Sequence, residues 1–288
     1  MPVEAKTIQI FLPSGEPRGI RIAEITTRIV QAIQIPRVQL PKFFERPESK
    51  QVGIYFLIGE VEDSVKPVVY VGQTEDLVDR LKSHHSNKEF WNTAIVLISR
   101  TQSFTQAHIR YLEWHSVDKI KEAGRFILDN GNAASRPHLP EAMQADVLDA
   151  FDTAGILLAT LGFPVFEPPT GRTQSEERQV FYCKGPHTEA RGSLVDDGFV
   201  VYAGSLTRRH VAPASQRFAA WIEKLQTSGV LIPVNDDQLQ LTQDYLVNSP
   251  SYAAALVLAR HANGWNEWKL ADGRTLHEVY RESAESEA

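Results

Sequence analysis

The residues best suited to chemistry gather in one stretch of the chain. Tyr55 and Tyr70 stand at opposite ends of two apolar runs in GIYFLIGEVEDSVKPVVYVG, residues 53–72. Arg80 and His84 follow, four residues apart, so on a helix they share one face. Further on, Ile109, Glu113 and Val117 form an i, i+4 row, with Leu112 and Ile120 beside it. Glu113 thus lies within an apolar stripe, where an unpaired carboxylate is costly and needs a cation, an arginine or a metal. Two readings stand: an internal salt bridge, with Arg80 as the candidate partner, or a functional carboxylate. The two phenols likewise read either as a cross-strand packing pair or as part of a site. The lone cysteine, Cys183, reads as inert, and its solitude excludes disulfide frameworks and Cys-rich zinc sites.

The frame that must hold these residues is a hairpin followed by two helices. VGIYFLI and PVVYVG are rich in β-branched and aromatic residues and bounded by Gly, Pro and charge, which predicts two strands. Their ends mirror each other. A hairpin pairing the mirrored ends sets Gly53 opposite Gly72 and Tyr55 opposite Tyr70, both phenols on one face. A helix with Thr74 as its cap candidate carries Arg80 and His84. AIVLIS is a third strand, and TQAHIRYLEWHSVDKIKEAG a long helix stopped near Gly124. Upstream, residues 5–45 read as strand, turn, helix, with the helix in RIAEITTRIVQAI. The expected organisation is an N-terminal strand–helix extension (1–48), a central domain (49–135), a helix and linker (136–178) and a C-terminal domain (179–284).

Gly53-Ile54-Tyr55, Tyr70-Val71-Gly72, Arg80, His84, Glu113 and a late asparagine, in this order, resemble the GIY-YIG nuclease superfamily over about residues 51–135. YVGQTEDLVDRLKSHH is the most specific stretch; Val71 stands where the family motif has isoleucine. The resemblance implies an α+β fold with a small three-stranded antiparallel sheet flanked by helices, and metal-dependent phosphodiester hydrolysis. It implies that Glu113 binds one Mg²⁺ or Mn²⁺ and that Tyr55 activates the attacking water. Tyr70 would contact the scissile phosphate or help position the water, and Arg80 would clamp the phosphate. His84 would assist proton transfer or contact phosphate. Asn132, preferred to Asn130, would anchor the adjoining loop. An ordinary phenol titrates near pH 10, so a cation or the metal must share the work of Tyr55. Gly72 and His85 are expected nucleic-acid contacts, and which of His84 and His85 faces the site is open.

Charge bounds the partners. The chain of 288 residues carries a net charge of −6, which counts against coating nucleic acid by charge alone. From Arg80 to Arg125, however, eight Lys/Arg face four Asp/Glu, a local excess suited to phosphate. No signal peptide or membrane-length apolar run is legible, so the expected compartment is the cytoplasm and no membrane partner is expected. In the C-terminal half, Arg208, Arg209 and Arg217 crowd together without an intervening acid and are candidate nucleic-acid contacts. Trp265 and Trp268 read as core or as base-stacking residues. Residues 179–281 resemble a domain of unknown function similar to the adenine-methylase-associated module of restriction systems. That resemblance implies a second α+β domain that binds nucleic acid. The combined expectation is an endonuclease acting on DNA more than RNA. The competing expectation is a non-catalytic binding protein on a nuclease scaffold. Oligomeric state is open.

Overall fold

The computed structural model describes residues 5–61, 66–131, 135–169 and 179–282. The chain divides into two compact units, Met1–Glu167 and Pro168–Ala288. Both are α+β, and each is built on a mostly antiparallel sheet. No helix among the described residues is long and apolar enough to cross a membrane.

The first unit opens with three strands, β1 (Ile8–Phe11), β2 (Arg21–Ile25) and β3 (Val30–Pro36). The helix expected across residues 21–33 does not form. Its Ile, Val and Thr residues, stiff at χ1, fit a pleated surface better than a helix. Tertiary pairing settles the matter, because β3 runs antiparallel along β6 (Trp91–Ser99) from Val30–Ser99 to Pro36–Thr93. The N-terminal segment is therefore a strand meander, not a strand–helix extension. It is also not a separate piece, since it shares a seven-stranded sheet with β4 (Gly53–Gly59), β5 (Val68–Thr74) and β7 (Ile127–Leu128). The order is β1-β2-β3-β6-β4-β5-β7, and only β5 and β7 run parallel. The three expected strands β4, β5 and β6 lie within this larger sheet.

Both faces of the sheet are covered, so β4 is buried along its whole length. On one face Ile54, Phe56, Val69 and Val71 pack with Ile109 and Leu112 of α3 (Gln106–Ala123) and Phe151 and Leu157 of α4 (Glu141–Thr160). Because α4 completes this core, residues 136–167 are part of the first unit and not a linker. On the other face Tyr55 and Leu57 pack with Leu40 and Phe43 of α1 (Leu40–Phe44) and Leu77 and Leu81 of α2 (Leu77–Asn87).

The second unit contains β8 (Phe181–Gly185), β9 (Thr188–Val195), β10 (Gly198–Val201), β11 (Leu206–Arg208), β12 (Leu231–Pro233), β13 (Gln238–Leu241) and β14 (Tyr245–Val247). They form one sheet in which β9 pairs with β8, β10 and β11. Helices α5 (Ala219–Thr227), α6 (Pro250–Leu258) and α7 (Gly264–Glu267) complete it. α6 is almost wholly apolar and buried. Trp268 closes the core: its ring lies 4.4 Å from that of Phe199, and its indole N–H donates to the Pro250 carbonyl at 3.1 Å.

Candidate active site

The mirrored glycines and tyrosines pair in a register two residues away from the expected one. Tyr55 faces Gly72, Leu57 faces Tyr70 and Gly53 faces Thr74. A shift of two preserves the period of the strand, so both phenols still share a face, now as diagonal neighbours with ring centroids 6.2 Å apart. Gly72 has a plain physical reason: a Cβ there would overlap the ring carbon Cζ and the hydroxyl of Tyr55. Gly72 is thus the space in which Tyr55 lies.

α2 approaches the same face. Asp76, not Thr74, caps it, accepting from the backbone N–H groups of Val78 and Asp79. The helix turns Arg80 and His84 toward the buried phenol. Arg80 Nε donates to Tyr55 Oη at 2.9 Å, and Tyr55 Oη lies 2.8 Å from His84 Nε2. A guanidinium can only donate, so Tyr55 Oη accepts from Arg80 and its own hydrogen is available to His84 Nε2. That direction requires a neutral His84 imidazole with its proton on Nδ1. Its surroundings favour that: burial, then the charges of Arg80 and Lys88, push its pKa down to about 4. Burial and the neighbouring Tyr70 hold the Tyr55 phenol well above the usual tyrosine range, with Arg80 opposing.

Tyr70 is half-exposed, with its ring 5.0 Å from that of His84. The ammonium of Lys88 sits 4.4 Å over the Tyr70 ring and pairs with Asp129 at 2.5 Å. Asn130 binds the backbone of Val71 from the side. Its Oδ1 accepts from Val71 N at 2.9 Å and its Nδ2 donates to Val71 O at 2.7 Å. One amide side chain thereby continues the ladder that β7 begins. Asn132 and the Arg217 side chain lie outside the described residues.

His85 turns away from this group. Its Nδ1 accepts from Arg37 Nε at 3.2 Å, and Arg37 also donates to the carbonyls of His85, Glu89 and Trp91. Arg37 stacks on the Trp91 ring as well. One side chain from the N-terminal segment thus fixes the C-terminal end of the helix that bears His84.

Glu113 is half-buried on α3, which packs on the sheet face opposite α2. The salt bridge to Arg80 is not formed; Glu113 makes no ion pair among the described residues. Burial raises its carboxyl above the usual range, opposed by the nearby charges of Arg80 and Arg110. No group of three His, Cys, Asp or Glu side chains converges among the described residues. A single-carboxylate Mg²⁺ site, completed by water and substrate oxygens, requires no such group.

In the second unit Arg209 donates to the Asn235 carbonyl at 3.2 Å, while Arg208 is half-buried on β11. Trp268 is core, and the Arg281 guanidinium covers the Trp265 ring at 3.8 Å. Cys183 is buried, its thiol pushed up to about 12 by burial. Lys88 and Arg37 are the residues that sequence reasoning missed. Lys88 extends the Arg80–His84 row by one more i+4 step, a signal that was available. Arg37 acts across about fifty residues and carries no local signal.

Residues 181–280 match the family model of a domain of unknown function, DUF4357. No nuclease family is matched beside it, so the resemblance of residues 51–135 rests on their sequence pattern alone. No curated protein matches the chain. No solved structure matches it.

Proposed function

We propose that the first unit is a metal-dependent phosphodiester hydrolase acting on nucleic acid, DNA in preference to RNA. The observation that carries this reading is the hydrogen-bonded group Arg80–Tyr55–His84, with Tyr70 and Lys88 beside it. Arg80 commits its Nε to Tyr55, and its remaining N–H donors suit phosphate oxygens. Lys88 adds positive charge next to Tyr70, and Asn130, bonded to the Val71 backbone, suits the role of loop anchor for which Asn132 was preferred.

Tyr55 is a poor base in the resting arrangement, because its environment moves the phenol away from neutrality. A concerted transfer avoids a phenolate. As the water oxygen bonds to phosphorus and the bond to the leaving oxygen breaks, water gives a proton to Tyr55 Oη, the phenol passes its own to His84 Nε2, and solvent protonates the leaving oxygen. The imidazolium so formed is balanced by the phosphodiester, and the Tyr55–His84 hydrogen bond needed for the second transfer is preset at 2.8 Å. Glu113 fits a single hard cation: it is a half-buried carboxylate with no hydrogen bond or ion pair among the described residues. Mg²⁺ or Mn²⁺ bound there would acidify water and polarise a phosphoryl oxygen.

A second reading, a non-catalytic nucleic-acid-binding protein, is favoured by the resting protonation of Tyr55 and His84. Cleavage of supercoiled plasmid, single-stranded DNA and structured RNA, each with Mg²⁺, Mn²⁺ or EDTA, separates the two. Metal-dependent cutting that falls at least about 100-fold in Arg80→Ala and Glu113→Ala supports the hydrolase. Binding without turnover, indifferent to both substitutions, supports the scaffold.

A further inference from the structure

The second unit holds a cavity of about 440 Å³, lined by Tyr182, Lys184, Glu267, Lys269 and the turn that ends at Gly273. Strand geometry gathers these groups. Phe181 and Cys183 of β8 face the core, so Tyr182 and Lys184 share the outer face. Lys269, far along the chain, pairs directly with Tyr182: Tyr182 N donates to Lys269 O at 2.7 Å, and Lys269 N donates to Tyr182 O at 2.9 Å. Directly paired residues place their side chains on one side. The Tyr182 phenol and the two lysines therefore share one side of the strand.

Their bonding state points to a ligand. Tyr182 has no side-chain hydrogen bond or ring contact among the described residues; Lys269 likewise has no side-chain hydrogen bond or close ion pair there, its charge reaching Glu278 only at longer range. Lys184 pairs with Glu189 at 3.2 Å, but both side chains are about two-thirds exposed, so the pair is weak and exchangeable. Glu267 is held by Arg260 at 2.7 Å, which offsets its charge. The cavity thus presents a free aromatic face and a net positive charge. An inorganic anion would use the lysines but not the ring, and would leave most of the volume empty.

The geometry points to a site for a phosphorylated nucleoside, with the base on Tyr182 and phosphate on Lys269 and Lys184. Aromatic stacking with adjacent cations is how single strands are held without sequence preference. The ligand is either a free nucleotide or one residue of a single strand. This site does not rest on the cleavage reading for the first unit.

The test uses the full chain in EDTA, so that binding is read without turnover. The probes are a fluorescein-labelled thymidylate 12-mer by anisotropy, and thymidine 5′-monophosphate and thymidine by calorimetry. Tyr182→Ala should weaken binding about 10-fold, while Tyr182→Phe leaves it within about 2-fold. Lys269→Gln should weaken it about 3-fold and lower the salt dependence by about one counterion. A strand bound far more tightly than the monophosphate identifies the strand as ligand; equal affinities identify the free nucleotide. Absence of binding by the wild type overturns the site. So does binding untouched by Tyr182→Ala and Lys269→Gln, or thymidine bound as well as its phosphate. Lys269→Gln removes a side chain with no hydrogen bond or close ion pair among the described residues, and an unchanged denaturant midpoint separates a loss of binding there from unfolding.

Discussion

Tyr55 and Tyr182 both lie on strands, two positions from a glycine or a lysine of the same face, yet their environments are opposite. Tyr55 is fully buried beneath α2, its ring seated over Gly72 and its hydroxyl bonded to Arg80 and His84. Tyr182 is half-buried at a cavity and has no side-chain hydrogen bond or ring partner among the described residues. A polar group whose bonds are complete inside the protein can be oriented for proton transfer before anything binds. One whose bonds are incomplete has its partner supplied by a ligand. On the proposed readings the difference separates a preset reaction centre from a recognition surface, and it rests on bonds that substitution can remove.

The largest expected effect comes from filling the space under Tyr55. Gly72→Ala sets a methyl group against the phenol ring. Overpacking at so enclosed a position should destabilise the unit by about 3 kcal/mol and pull Tyr55 from both partners. Denaturant unfolding reads the first effect and the cleavage assay the second. A variant as stable as wild type would mean that Tyr55 is looser than Tyr182, and the comparison would fail.

Acid should act next. His84 titrates near 4 in the folded chain, against an ordinary value near 6.5. The unfolded chain therefore binds a proton more readily between these values. Stability from the neutral His84 is complete above about pH 6.5 and is lost as pH falls toward 4. The loss amounts to about 2–3 kcal/mol. Unfolding curves at pH 4.5, 5.5 and 7 should show this slope in wild type and a shallower one in His84→Gln. Equal slopes would place the depressed group elsewhere.

Arg37→Ala removes a guanidinium that holds three carbonyls and one imidazole at the end of α2. A loss of about 2 kcal/mol is expected. Because Arg37 touches no reacting group, its diagnostic is the His84 titration followed by NMR. The midpoint should rise from about 4 as the helix end loosens. Arg37→Lys should restore little, since a point charge cannot make the forked contacts. An unmoved midpoint would reduce Arg37 to a packing residue.

The parts of this site that were legible in the sequence are those set by local periodicity. The i+4 step puts Arg80 and His84 on one face, and Gly124, with φ 63°, ends α3 where the pattern stops. Strand alternation told that the two phenols share a face, but alternation cannot distinguish registers two residues apart. What chose between them was the fit of the Tyr55 ring over Gly72, a tertiary contact. The meander of β2 and β3 was hidden for a related reason: its Ile and Val residues fit a helical period, and the open edge of β6 decided the outcome. Which histidine faces inward was fixed by Arg37, and the Tyr182–Lys269 pairing joins residues nearly ninety positions apart. Neither leaves a local trace.

The smallest effect tests the two tyrosines by one chemical change. Tyr55→Phe deletes a hydroxyl that accepts from Arg80 and bonds His84, and leaves the buried imidazole without that partner. Stranding buried donors and acceptors costs about 1–3 kcal/mol. Tyr182→Phe deletes a hydroxyl with no partner among the described residues, so its stability should stay within about 0.5 kcal/mol of wild type. The pair of measurements is informative as a difference. If Tyr55→Phe is as mild as Tyr182→Phe, the hydroxyl is not bonded as drawn and a preset proton path cannot begin there. If Tyr182→Phe is the costlier change, its ring already has a partner within the protein and the cavity is not waiting for one. A clear cost at Tyr55 beside none at Tyr182 means that the hydroxyl matters in the first unit and only the aromatic face in the second, as a proton relay and a stacking platform respectively require.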